Sequence, residues 1–169
     1  MNKEIEQKGI QGFSFTAKLF HWGFILIFSY GILKQIDNIN QLEDLALLKF
    51  EIIFALLFIL FLIIRFIYMK RTQKTSLPPD TTKFQKVAAK LVHYGMYVTM
   101  ISIALSGLMI GFLYWMGLKS GLLLETINFW HESSVSIVYW LIGLHLLGAC
   151  YHWIKNNGVW ESMVPILNR

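Results

Sequence analysis

Along the chain, four long apolar runs alternate with short polar connections. They occupy residues 17–33, 45–69, 87–115 and 128–154. At a helical rise of about 1.5 Å per residue, each can cross a hydrocarbon core of about 30 Å, the longer ones with some tilt. None of the runs contains proline. The connection 68–85 holds Leu77-Pro78-Pro79-Asp80, whose prolines stop a helix and favour an extended link across the surface. The pattern predicts an all-α membrane protein, a four-transmembrane-helix up-down bundle in one domain over residues 1–169. The first run lacks an A-x-A-like cleavage site and follows a stretch of mixed charge, residues 1–8, so it reads as a retained span and not as a removed signal peptide.

Composition narrows the class further. Of 169 residues, 56% are hydrophobic and 15% charged, against about 25% charged in an ordinary soluble domain. Length alone leaves no room for a large catalytic domain or a nucleotide-binding unit beside four spans. The single cysteine, Cys150, excludes a disulfide framework and a CxxC metal cage and reads as an inert core residue. The net charge of +5 would suit nucleic acid, but its placement argues otherwise. Lys3, Lys8, Lys18, Arg65, Lys70, Arg71, Lys74, Lys83, Lys86, Lys90, Lys155 and Arg169 fall on one side of the alternating spans, leaving only Lys34, Lys49 and Lys119 on the other. By the positive-inside rule both termini are expected in the cytoplasm, as in a bacterial inner-membrane protein, with lipid and not nucleic acid as the surrounding partner.

All five histidines lie in the apolar runs. Ionisable or ligating side chains at that depth are costly and are functional candidates by default. Because the spans alternate in direction, His21, His93, His145 and His152 approach the cytoplasmic side, while His131 stands alone near the outer side. His131 and His145 are 14 residues apart and His145 and His152 are 7 apart, so all three share one helical face. The first pair is separated by about 21 Å along the axis, room for two cofactors stacked across a bilayer, and the second by about 10 Å, too little for two porphyrins. Paired imidazoles from facing helices, inside an apolar enclosure, suit a b-type haem; zinc would call for a tighter cluster with Cys or carboxylate. Gly23, Gly95, Gly143, Gly148 and Ala149 beside the histidines would let a flat macrocycle approach the backbone, although membrane helices also use such residues for packing.

These residues resemble the bacterial cytochrome b561 family, four-helix membrane b-type cytochromes. The resemblance covers nearly the whole chain. It rests on Lys18-Leu19-Phe20-His21-Trp22, on His93 with Gly107 fourteen residues on, and on Trp130-His131-Glu132, Gly143-Leu144-His145, His152 and the tail Met163-Val164-Pro165. It implies haem b as cofactor, with His21 and His145 as iron ligands of an inner site, His93 being the alternative to His21, and with His131 as a ligand of an outer site. It also implies electron exchange with ubiquinone or menaquinone, with His152 as a quinone or propionate contact.

One position departs from the family pattern. Counting fourteen residues back from Arg65, where the family has the second outer histidine, lands on Glu51. Three outcomes follow: the outer haem is lost, His131 holds it alone or with water, or Glu51 or Lys49 supplies a second ligand. The reading that follows is an inner-membrane b-type cytochrome carrying electrons to or from a membrane quinone. Its donor is a small reductant such as superoxide, a periplasmic redox protein or a partner redox subunit, and the donor decides whether it is a quinone-linked oxidoreductase. The alternative is a haem-bearing membrane anchor of a larger dehydrogenase, hydrogenase or reductase.

Overall fold

The computed structural model describes residues 12–73 and 77–164. Helix α1 spans Phe15–Leu33, α2 Leu45–Thr72, α3 Lys83–Trp115 and α4 Leu122–Ile154; a short α5, Val159–Met163, follows, and a 3-10 turn, Ile39–Glu43, joins α1 to α2. No strand occurs among the described residues.

Three helices begin ahead of their apolar runs, for local reasons. The Ser14 hydroxyl accepts from the Ala17 N–H at 3.2 Å and starts α1 at Phe15. Thr82 and Gln85 form a reciprocal capping box, which starts α3 at Lys83. Helix α4 begins behind Gly121, whose φ of +107° is a left-handed turn that favours glycine. In α2, the Asp44 carboxylate caps the Ala46 N–H at 2.8 Å, and Lys70 and Arg71 close the last turn, where cations meet the negative end of the helix dipole.

Contacts at the two ends fix the up-down order. At the Ser14 end, the Ser14 N–H donates to Gln73 Oε1 at 3.2 Å and the Phe13 N–H donates to the Ser162 carbonyl at 3.3 Å, joining the start of α1 to the end of α2 and to α5. At the opposite, Lys34 end, Lys34 pairs with Glu51, the Tyr114 hydroxyl reaches Asn40 at 3.5 Å, and Lys119 pairs with Glu43 at 3.7 Å. Lys3, Lys8, Lys74, Pro165 and Arg169 lie outside the described residues.

Two buried clusters hold the bundle together. One, around Leu42, Leu48, Ile110, Tyr114 and Ile127, sits at the Lys34 end, and the other, around Phe24, Phe58, Leu62, Met100 and Val138, lies midway. By contrast Ile53, Leu56, Leu57, Leu60, Ile63, Ile64 and Ile67 are all exposed along α2. Such a stripe is unsuited to water and is what lipid accepts, with helices satisfying their own backbone groups. The four long helices each have the length and hydropathy of a membrane span, so this is a multi-pass membrane protein.

Candidate functional site

The helices bring three imidazoles together in the Ser14 half of the bundle. The His21 ring of α1 lies 6.3 Å from that of His145 on α4, and the His93 ring of α3 lies 4.9 Å from His145. His152, two turns further along α4, joins no other histidine; its Nδ1 pairs with the Asn157 amide at 2.9 Å. The depth ordering read from sequence is therefore resolved into a cluster of three and a separate fourth.

Arg65 completes the cluster, and sequence reasoning used it only as a landmark and a counted charge. Its Nη2 donates to His21 Nδ1 at 3.0 Å and its Nη1 to the Tyr97 hydroxyl at 2.7 Å. The guanidinium carbon lies 5.2 Å from the Phe24 ring centroid and 5.3 Å from that of Tyr97. The Arg65 Nε is buried without a partner. An arginine inside an apolar helix is itself a signal of function, and it was present in the sequence to be read.

Donor chemistry sets the state of each ring. A guanidinium has no acceptor, so His21 Nδ1 presents its lone pair to Arg65. His93 is the opposite case: its Nδ1 sits 2.6 Å from the Ala89 carbonyl, which only accepts, so Nδ1 carries the proton and Nε2 the lone pair. Metal-ligating imidazoles ordinarily have this second arrangement. His145 is the common member of both ring contacts, with His21 on one side and His93 on the other. Convergent imidazoles, an apolar surround and a buried cation with a spare N–H, suited to a carboxylate such as a propionate, together fit a b-type haem.

The glycines expected beside the macrocycle divide. A Cβ on Gly95 would meet Leu141 at 3.3 Å, so Gly95 serves helix packing, whereas Gly143 and Gly148 face open space. Lys18, counted above among the basic residues of one side, donates weakly to the Glu161 backbone carbonyl at 3.5 Å, and both Glu161 carboxylate oxygens are buried without a partner.

At the Lys34 end a cavity of about 420 Å³ opens among α1, α2, α3 and α4. Its wall carries Phe28, Phe54, Phe58 and Val138, and its polar groups include His131, Lys34, Glu51, Asp37 and Glu132. His131 Nδ1 lies 2.9 Å from Ser106 Oγ. Gly107, grouped with His93 in the sequence, packs beneath His131 instead: a Cβ there would meet its Cε1 at 3.5 Å. Lys49 is exposed and does not line the cavity.

A polar seam along α3 and α4 was not foreseen. The Trp130 indole N–H donates to Ser102 Oγ at 2.7 Å, and Ser102 bonds Ser134 at 3.0 Å. Serines in a membrane helix are the sequence signal that was available.

Residues 12–165 match the family model described as prokaryotic cytochrome b561. No curated protein and no solved structure matches the chain. The match covers all four membrane helices and both histidine sites. The chain belongs to the prokaryotic cytochrome b561 family.

Proposed function

We propose that the protein is an inner-membrane b-type cytochrome that passes electrons between a donor on the outer side and a membrane quinone at the cytoplasmic half of the bilayer. Membership of a family of membrane cytochromes that typically bind haem b supports electron transfer. The observation that carries the site assignment is the convergence of His21, His93 and His145 on the buried Arg65. His21 and His145 would hold the haem iron, with His93 beside them. Haem supplies a one-electron carrier; the protein supplies ligands, burial and local charge, which set its potential.

To ligate through Nε2, His21 would carry its ring proton on Nδ1 and give up the Arg65 contact; Arg65, still bonded to the Tyr97 hydroxyl, would then offer the freed Nη2 and its unpartnered Nε to an anionic group. The bundle excludes water through Phe24, Phe58 and Val138, which are buried below it. His152 lies where α4 ends, half-buried and oriented by Asn157. In this reading it donates to a quinone oxygen and passes on a proton. Converting a quinone to its quinol takes two electrons, delivered singly, and two protons. A small reductant such as superoxide, giving one electron and leaving as dioxygen, suits an outer side with short connections.

The test is purification of the full chain in mild detergent, followed by a reduced-minus-oxidised spectrum. A b-type spectrum is expected, lost from the inner site in His145→Ala and in His21→Ala but kept in His93→Ala. A colourless, iron-free wild-type protein, made with ample haem supply, would refute the cytochrome reading. His152→Ala should keep its haem and slow quinone reduction; unchanged quinone kinetics would remove His152 from the scheme.

A further inference from the structure

The cavity at the Lys34 end does not offer the two imidazoles of a six-coordinate b-type haem. One wall carries His131, and among the other lining groups is the Lys34–Glu51 ion pair. The two halves of this asymmetric site are each well defined.

The His131 half is built for ligation. The single hydroxyl proton of Ser106 is committed to backbone carbonyls, those of Ser102 at 2.7 Å and Ile103 at 3.0 Å. Toward His131, Ser106 Oγ is therefore an acceptor, and the 2.9 Å contact is an Nδ1–H donating to it. That places the ring proton on Nδ1 and leaves the Nε2 lone pair without a partner among the described residues. The bond joins α3 to α4 and also fixes the tautomer, as the hydrogen bonds behind metal-ligating imidazoles do.

The Glu51 half is closed to ligation. Lys34, just past the end of α1, pairs with the Glu51 carboxylate and lies 4.7 Å from the Phe50 and 5.4 Å from the Phe54 ring centroid. The pair is largely shielded, with side-chain exposures of 15% and 28%. Drawing the carboxylate onto a metal would strand the ammonium against aromatic rings in a wall of low polarity, a strongly unfavourable change.

The cavity volume lies within the usual range for a bound organic group, roughly 300–1,000 Å³. Small residues also line it, and two of them seat rings of the wall: Gly31 lies against Phe54 and Gly107 against His131. We infer that this cavity holds a haem on one protein ligand only, the Nε2 of His131, leaving the opposite coordination face open in front of an intact Lys34–Glu51 pair. Ser106 is the positioning residue. The inference rests on the cytochrome reading above and adds to it a high-spin centre able to take a small exogenous ligand.

The experiment counts haem per polypeptide in the detergent-purified full chain and records its ferric electron paramagnetic resonance spectrum and its carbon monoxide difference spectrum. Two haems are expected, one low-spin and one high-spin, with carbon monoxide binding to half. His131→Ala should remove the high-spin signal and spare the low-spin one. Glu51→His should keep the haem count, convert the high-spin signal to low-spin and abolish carbon monoxide binding. Ser106→Ala should weaken retention of the high-spin haem by roughly 10–100-fold. Two low-spin haems with no carbon monoxide binding, or a single low-spin haem that neither His131→Ala nor Glu51→His alters, overturns this inference and leaves the cytochrome reading intact. A preparation without haem overturns both.

Discussion

Arg65 ties three helices at one point, and a double-mutant cycle with Tyr97 measures how firmly. The Cα of Arg65 lies about 30 Å along α2 from Leu45, close to the membrane boundary. Its guanidinium bonds His21 of α1 and Tyr97 of α3 and lies near the Phe24 ring. Interhelical hydrogen bonds in membranes average about 0.6 kcal/mol, because the separated helices also find partners, and charge assistance roughly doubles that. The Arg65–Tyr97 bond is therefore worth about 1–2 kcal/mol.

Arg65→Leu loses two such bonds and a cation–π contact of about 0.5–2 kcal/mol. It also relieves the buried, unpartnered Nε, a cost of about 1–3 kcal/mol. The net effect of that variant alone is a modest destabilisation, about 1–3 kcal/mol, and the single value discriminates poorly. The cycle does better: Tyr97→Phe should cost about 1–2 kcal/mol in the wild-type background and close to nothing on top of Arg65→Leu. Reversible unfolding in mixed micelles, followed by tryptophan fluorescence, gives the four free energies. Additive costs, with a coupling below about 0.5 kcal/mol, would refute the reasoning.

Two further substitutions test the packing. Leu62, 1% exposed, leaves a cavity when truncated; because lipid is as apolar as the core, the transfer contribution largely cancels and Leu62→Ala should cost about 2 kcal/mol, the low end of the usual range. Leu57→Ala, at a site 60% exposed, should cost little, and equal losses in the same unfolding assay would contradict the assigned lipid face. A Cβ on Gly111 would stand 2.9 Å from Ile52 Cγ1, so Gly111→Ala should destabilise by about 1–3 kcal/mol through overpacking. The double variant with Ile52→Ala should recover part of that loss, and no recovery would mean the crowding lies elsewhere.

The four spans, the alternation in direction and the depth of each histidine were legible in the sequence, because helical rise and period convert residue number directly into height and face. The family motifs were legible for the same reason: they sit at fixed spacings within single helices, as in the fourteen residues from His131 to His145. Helix starts were less so, since Ser14, the Thr82–Gln85 box and Gly121 act through local hydrogen bonding and backbone conformation and not through hydropathy.

What one helix presents to another was decided only by tertiary packing. Sequence placed His21, His93 and His145 at one height, but which rings meet depends on how each helix is rotated about its axis, a property of the whole bundle. Gly107 changed partners for that reason, from His93 on its own helix to His131 on the next. Sequence also marked Glu51 as standing where the family has histidine, yet only the fold could show that Lys34, seventeen residues earlier and past the end of its own helix, returns to hold it. A buried charge has to find its partner wherever the assembled bundle provides one, and no local period records that choice.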